Sequence, residues 1–209
     1  MYTPKPFPKV FTVNAGFHRL ISFNESNLAT TSLIDVDWYM DIRVHEKDSF
    51  NLIDLKGQSG GGRELYGELF NTRSRSKSFD FVFNNVRTDL VASCVVDMAA
   101  YSSEVTPVQV TYAGMTGMIR MSAISSTDFY TKANKGSLQL QPKPKDSSVQ
   151  TVSITFKGNP ASASAYLNFI ELQVPCSLTM VGNEMHIVNT EYLGESNVIR
   201  FSMTGADNN

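Results

Sequence analysis

The amino-acid sequence predicts an all-β protein, an antiparallel β-sandwich of jelly-roll-like character. Short runs of alternating apolar and polar residues recur along the chain, and a period of two indicates a strand with one buried face. Segments containing glycine, asparagine, proline and serine separate these runs and suit chain reversals. No long stretch has the 3.6-residue apolar spacing of an amphipathic helix, which the crossovers of a parallel α/β sheet require. About a dozen short strands so spaced favour a sandwich.

The longest amphipathic strand is predicted from Leu33 to Glu46. Its apolar positions are Ile34, Val36, Trp38, Met40, Ile42 and Val44, and its polar positions are Asp35, Asp37, Tyr39, Asp41, Arg43 and His45. This alternation predicts that the apolar set faces the core and the polar set faces solvent. We therefore expect His45 to be solvated or to anchor a loop, and His186 to lie on a polar face as well.

Five further strands follow from the same alternation. Their inward positions are predicted to be Phe79, Phe81 and Phe83; Val108, Val110 and Tyr112; Ile119, Met121 and Ala123; Val152, Ile154 and Phe156; and Ile199, Phe201 and Met203. Turns are predicted at Ala113-Gly114, at 158–160, at 181–183 and at 193–195. Residues 49–56 and 126–134 are each expected to form a single helical turn, which leaves the fold class unchanged.

The whole chain, 1–209, is interpreted as one β-sandwich domain. The glycine-rich residues 57–62 mark a sub-boundary that would set off a small N-terminal β-unit. In the alternative arrangement, the long strand from Leu33 to Glu46 joins the same sheets as the rest of the chain. The ending, 204–209, is predicted to be a linker.

Charge and hydropathy argue against two classes of partner. The 209 residues carry a formal net charge of only -2, with 18% charged residues, so the chain as a whole is not attracted to nucleic acid or to anionic lipid. No run approaches the roughly 18 apolar residues of a membrane-spanning helix. We therefore expect no nucleic-acid partner and no transmembrane segment.

The two cysteines, Cys94 and Cys176, are too few and too far apart in sequence for a disulfide framework or a zinc site. Cys94 alternates in phase with Ala92, Val96 and Met98, and Cys176 alternates in phase with Leu178 and Met180. Both are predicted to be buried apolar side chains. A bond between them stays open, because sequence does not establish their proximity.

The segment Val44–Phe70, VHEKDSFNLIDLKGQSGGGRELYGELF, has the most specific pattern in the chain. Its run of histidine, glutamate, lysine and aspartate, followed by GRELYGE at 62–68, resembles the N-terminal non-catalytic region of the PorU family, the type IX secretion sortases of Bacteroidetes, which are gingipain-like cysteine peptidases. The resemblance extends from about Phe17 to Thr204 and includes AYLNFIELQ at 165–173. Leu65 stands where the family usually has Trp, and Asn168 where it usually has Asp, which puts any role of those two side chains in doubt.

The resemblance implies an accessory domain of an enzyme. The chain alone is not expected to be an enzyme, whereas the full-length parent would be a gingipain-like cysteine endopeptidase that removes C-terminal secretion signals from cargo. Its partners would be a peptidase domain downstream of Asn209 and secretion-system proteins, and its location the outer membrane or cell surface. The oligomeric state stays open, and we expect no cofactor.

Arg63, Glu64, Tyr66 and Glu68 form the candidate structural or docking site. The three preceding glycines permit close backbone approach, and Arg63 can form a bidentate pair with a carboxylate such as Glu68 or Glu46. Tyr66 is expected to cover apolar surface while its hydroxyl finds a polar partner. Two interpretations stay open for this segment: loop anchoring with domain docking, and binding of a separate partner.

Other site chemistries fit less well. Asp35, Asp37 and Asp41 project from one strand face and suit calcium, but the ligand spacing of an EF-hand is missing, so we expect no metal site. No catalytic residues are expected, because both cysteines fall in apolar strand patterns. A stand-alone carbohydrate-binding jelly-roll module is the alternative function, although the single tryptophan, Trp38, lies on the predicted buried face.

Overall fold

The computed structural model describes residues 10–14, 32–50, 64–128, 131–159, 161–182, 184–189 and 197–205. Every regular element within these ranges is a β-strand, and they contain no helix that could cross a lipid bilayer. The all-β prediction is confirmed. The strands are β1 (Val10–Asn14), β2 (Ser32–Val36), β3 (Trp38–Glu46), β4 (Leu69–Phe70), β5 (Ser76–Val82), β6 (Ser93–Tyr101), β7 (Thr106–Tyr112), β8 (Met115–Met121), β9 (Asn134–Leu140), β10 (Val149–Phe156), β11 (Ser164–Ser177), β12 (Glu184–Val188) and β13 (Asn197–Phe201).

Two antiparallel sheets form the sandwich. The smaller has the strand order β5-β10-β7-β8, and the larger has the order β3-β11-β6-β9, with β4 pairing beside the start of β11. Two short pairs complete the described fold, β1 with β12 antiparallel and β2 with β13 parallel. Strands β7 and β8 are joined by the predicted two-residue turn, in which Ala113 and Gly114 have φ values of 48° and 88°. Positive φ at both central residues is what a type I′ hairpin turn requires.

The larger of two apolar clusters in the described residues lies between the two sheets. The predicted inward positions of β7 and β10 are fully buried, as are Cys94, Val96 and Met98 of β6. Alternation along these strands places every second side chain in the core. Burying each large aliphatic or aromatic side chain contributes about 1.5–3 kcal/mol, so these strands, together with β11, whose inward side chains are equally buried, contribute strongly to the stability of the fold.

The predicted strand from Leu33 to Glu46 differs from the structure in two ways. It is interrupted at Asp37, which separates β2 from β3, and along β3 the core cluster contains Tyr39, predicted to face outward, and not Trp38. Trp38 and Tyr39 are both buried, whereas Ile42 and Val44, predicted to face the core, are 39% and 53% exposed. Because the register of β3 on β11 is unbroken, the predicted orientation is wrong for β3 as a whole.

The partners of β3 explain this reversal. β3 is an edge strand, and across from it Phe79 of β5 and the neighbouring Phe83 already supply apolar surface. The guanidinium of Arg43 lies 5.9 Å from the Phe83 ring centroid, and the His45 ring lies 4.7 Å from that of Phe79. Long amphipathic side chains can cover aromatic rings while their polar ends reach the open side of the sandwich.

The remaining predicted turns, sub-boundary and linker agree with the structure only in part. Ser126-Thr127 form a turn, and residues 131–133 are not helical. Most of the helical turn expected at 49–56, and the whole sub-boundary at 57–62, lie outside the described residues. Thr204, where the linker is predicted to begin, bridges Thr179 and donates its backbone N–H to the Leu178 carbonyl at 2.9 Å.

Candidate docking groove

The predicted docking segment returns to the larger sheet through β4. β3 and β4 lie end to end along the same side of β11, so the chain leaves that side after Glu46 and rejoins it at Gly67. The Gly67 N–H donates to the Leu167 carbonyl at 2.7 Å, and the Leu167 N–H donates to the Glu68 carbonyl at 3.1 Å. These bonds fix the returning segment on the sheet.

Gly67 is required by a close backbone crossing. A Cβ atom added at this position would lie 2.7 Å from the Lys47 carbonyl oxygen and 3.0 Å from the Lys47 Cβ. The outgoing and returning strands of the excursion therefore touch where they pass, and only glycine leaves room for this contact. The sequence predicted close approach for the three glycines before Arg63, which lie outside the described residues, so that prediction stays a prediction.

Tyr66 anchors the segment. Its backbone forms a bridge with Phe50, donating to the Phe50 carbonyl at 2.8 Å and accepting from the Phe50 N–H at 2.7 Å. Its side chain is 4% exposed, and its hydroxyl donates to Glu64 Oε2 at 3.1 Å. Burial, together with the nearby Glu64 carboxylate, raises the pKa of Tyr66. The expectation that the Tyr66 hydroxyl finds a polar partner agrees with its hydrogen bond to Glu64.

Glu64 links the segment to the far strand of the same sheet. Its Oε2 forms an ion pair with the Lys135 ammonium of β9, and this hydrogen bond lowers the pKa of the Glu64 carboxyl. Both side chains are substantially exposed, so solvent screens the pair and its contribution to stability is small. The pair instead restricts where the Glu64 carboxylate lies.

The Glu68 carboxylate is partly buried and contacts His45 of β3. A hydrogen bond of 3.1 Å joins its Oε1 to His45 Nε2, while its buried Oε2 has no hydrogen-bond partner within the described residues. The His45 side chain is only about one-third exposed and packs on Phe79. The interpretation of His45 as a solvated side chain on a polar face is thus wrong, whereas its alternative role as a loop anchor fits the bond to Glu68.

A groove of about 540 Å³ opens on the outer face of the larger sheet beside these anchors. Its lining combines four carboxylates with apolar side chains. The lining residues are Val44, Glu46, Asp48, Glu64, Leu65, Asn168, Phe169 and Glu171. We refer to this set as the acidic groove.

A β-bulge shapes the groove. The register of β11 against β6 shifts between Leu167 and Phe169, so Asn168 is an extra residue in the strand. Its side-chain amide donates to Asp97 Oδ1 at 2.9 Å. Bulges bend a strand and redirect its side chains, and here the bend falls where the excursion from β3 to β4 leaves the sheet.

The structure brings together part of the predicted site. Glu64, Tyr66 and Glu68 lie within one short segment, but Tyr66 and Glu68 act as internal anchors and only Glu64 lines the acidic groove. Arg63 lies outside the described residues, so its predicted carboxylate pair stays a prediction. Sequence reasoning missed Asp48 and Glu171 as groove residues. Asp48 lies within the motif itself, and the signal for Glu171 would have been an acidic residue that alternates with apolar residues along its strand.

The row of aspartates considered for calcium is engaged by arginines. Arg200 Nη2 donates to Asp35 Oδ2 at 2.6 Å, Arg87 Nη1 donates to Asp37 Oδ2 at 3.1 Å, and Arg43 pairs with Asp41. In the part of the chain that the structure describes, no three histidine, cysteine, aspartate or glutamate side chains are grouped closely enough to hold a metal ion. The three carboxylates thus serve as ion-pair partners.

Both cysteines are buried thiols that are not bonded to each other. Burial raises the pKa of Cys94 to about 12 and that of Cys176 to about 12. The prediction that they act as apolar packing residues is confirmed by their complete burial. A thiol in this state is a poor nucleophile, because the reactive species is the thiolate.

Comparison with protein-family models and with curated proteins finds no match. Among solved structures, dimeric latent PorU from Porphyromonas gingivalis is similar with a TM-score of 0.63 at 19% sequence identity, over 76% of this chain and 14% of the PorU chain. A CBM36 carbohydrate-binding module in complex with calcium and xylotriose gives a TM-score of 0.38 at 16% identity, over 63% of this chain and 98% of the module. A family 35 module from Clostridium thermocellum gives 0.33 at 8% identity, over 78% and 97%. The chain therefore shares its β-sandwich fold with a small part of PorU.

Proposed function

We propose that this chain is a non-catalytic accessory domain of a PorU-like type IX secretion sortase and that it docks other protein surfaces through the acidic groove. The full-length protein would process the C-terminal secretion signals of cargo at the outer membrane. The fold shared with part of PorU and the family pattern in Val44–Phe70 support this proposal. Its partners would be the downstream peptidase domain and secretion-system proteins at the cell surface.

The observation that carries the docking role is the position of the motif. The segment that resembles the sortase family forms one wall of the acidic groove, through Glu64 and Leu65. Tyr66, Gly67 and Glu68 hold that wall in place by the contacts described above. We extend the docking role to Arg63, which directly precedes the wall in sequence. The charged and glycine-rich composition of Val44–Phe70 is accounted for if this segment builds a fixed binding surface and not an active site.

Two measurements test the proposal. The coding sequence after Asn209 should encode a gingipain-like peptidase domain with its own histidine and cysteine, and a stop codon there would contradict it. In the full-length protein, amide hydrogen exchange around Glu46 and Glu171 should be slower than in the isolated chain, because a docked surface excludes solvent. Equal exchange rates in both forms would rule out docking within the parent protein while leaving external partners to be tested.

A second candidate is a carbohydrate-binding module. The groove combines an aromatic ring, Phe169, with the amide and carboxylate of Asn168 and Glu171, and such combinations can hold a sugar. Trp38, the side chain best suited to stacking on a sugar, is 6% exposed and unavailable for it. Calorimetric titration with xylo- and cello-oligosaccharides separates the candidates: heat that disappears in Phe169→Ala would favour sugar binding, and no heat with the wild-type chain would remove this alternative.

A further inference from the structure

One edge of the larger sheet has backbone groups that form no hydrogen bond with the described residues. β11 is the strand that pairs with β3 in the described fold. In an antiparallel pair, the N–H and C=O of one residue point to the same side, and the side alternates from residue to residue. The Asp37 carbonyl accepts from the Leu178 N–H at 2.8 Å, on the β11 side. The Trp38 carbonyl accepts from Asn189 Nδ2 at 3.4 Å, on the other side.

This alternation directs the N–H and C=O groups of Ile42 and Val44 away from β11. No hydrogen bond to these groups is formed by any residue within the described ranges. The side chains of the same two residues are 39% and 53% exposed on the outer face, and Val44 lines the acidic groove. The edge thus presents unpaired backbone groups and apolar side chains next to each other.

The charged residues that line the groove are all acidic. Glu46, Asp48, Glu64 and Glu171 all line the groove. Of these four carboxylates, only Glu64 is in a salt bridge with a cation of the described structure, Lys135. A ligand with lysine or arginine side chains would pair with the remaining three, whereas an acidic ligand would be repelled.

We propose that β3 binds an extended, basic segment of a partner protein by strand addition, with alternate lysine or arginine side chains of that segment entering the acidic groove. Backbone hydrogen bonds to Ile42 and Val44 supply affinity, and the groove carboxylates supply charge selectivity. This inference rests on the proposed docking function and specifies the partner's chemistry. A second copy of this chain fits less well, because pairing β3 with β3 would bring the acidic residues of both copies close together.

The test uses the whole chain and a synthetic peptide of about ten residues that alternates valine and lysine. Two control peptides are used. The first has glutamate in place of lysine, which reverses the charge, and the second is the lysine peptide N-methylated at alternate residues, which removes backbone N–H donors. NMR hydrogen exchange should show the Ile42 and Val44 amides slowed by tenfold or more at saturation with the lysine peptide. The affinity should fall as salt rises, and both control peptides should bind far more weakly.

Two matched substitutions separate backbone pairing from simple charge attraction. Val44→Pro removes the N–H that points away from β11, which an edge strand tolerates, and should weaken binding by roughly fivefold or more. Val82→Pro is the control: the Phe83 N–H donates to Ser148 on the β10 side, so the Val82 N–H lies on the free edge of the other sheet. Glu171→Lys should also weaken binding, and Glu104→Lys, on an exposed loop, should leave it unchanged.

Each remaining outcome overturns the inference. Equal binding of the glutamate peptide would remove the charge argument, and wild-type affinity of Val44→Pro would remove strand addition. A concentration-dependent dimer that Val44→Pro abolishes would assign the edge to a second copy, and sugar binding that excludes the peptide would assign the groove to a glycan. A stop codon after Asn209 would contradict the sortase proposal but not the strand-addition inference, because the peptide experiment does not depend on the rest of the gene.

Discussion

Replacing Gly67 with alanine probes the backbone crossing on which the groove depends. The new Cβ would lie 2.7 Å from the Lys47 carbonyl oxygen, so the two backbones must separate by at least 0.7 Å to reach the 3.4 Å of ordinary contact. Gly67 cannot retreat easily, because its N–H donates to Leu167 at 2.7 Å. Overpacking of this kind costs about 1–3 kcal/mol. That is a large fraction of the roughly 5–15 kcal/mol by which a domain is stable.

Urea unfolding measures this cost. With a slope of about 2 kcal/mol per molar urea, the midpoint of Gly67→Ala should fall by about 0.5–1.5 M. Gly114→Ala is the matched control: its φ of +88° is strained for alanine, but no atom lies within 4 Å of the new Cβ. Only Gly67→Ala should speed hydrogen exchange at the amides of Tyr66 and Gly67 itself. An unchanged midpoint together with unchanged exchange at these amides would refute the close crossing.

Two further predictions concern ionisation. With thiol pKa values of about 12, only about one in ten thousand thiols of Cys94 and Cys176 is ionised at pH 8. Ellman's reagent should therefore label the two cysteines only as fast as the chain unfolds around them. Rapid labelling of the folded chain would contradict their burial. The hydrogen bond from Arg87 lowers the pKa of Asp89 from 3.8 to about 2, so its contribution to stability is present above about pH 4 and is lost as the pH falls through 2. Asp89→Asn should therefore lower the urea midpoint at pH 6 and have little effect near pH 2. The exposed control, Asp146→Asn, should have the same small effect at both pH values. The same small effect for Asp89→Asn would refute its pairing with Arg87.

The central strands could be predicted from sequence because both of their neighbours are strands of the same sheet. Val108, Val110 and Tyr112, for example, alternate with polar residues and face one continuous core. In such strands, period two and burial coincide. The prediction failed along β3, where Tyr39 lies in the core and Ile42 and Val44 face outward. There the alternating pattern correctly predicts a strand. Which of its two faces points inward depends on the side chains of the opposite sheet, which the local pattern does not contain.

The candidate site was predictable only in part for a related reason. A local pattern indicated Glu64, Tyr66 and Glu68, which lie within five residues of each other. The groove also needs Asp48 and Glu171, which reach it through the pairing of β3 with β11 and through the bulge at Asn168. Sequence spacing carries no information about strand register between distant segments, so these residues become visible only in the fold.

The reversed face of β3 connects these observations. An edge strand with outward apolar side chains and no proline invites pairing with other chains, and proteins often guard such edges with inward-pointing charges. Arg43 of β3 and Lys77 of the opposing edge strand β5 occupy such positions, with the Lys77 ammonium 5.8 Å from the Phe70 ring centroid. The carboxylates of the acidic groove add repulsion between identical copies. The same carboxylates attract a basic strand, so a single arrangement of charge both discourages self-association and selects the partner that we propose.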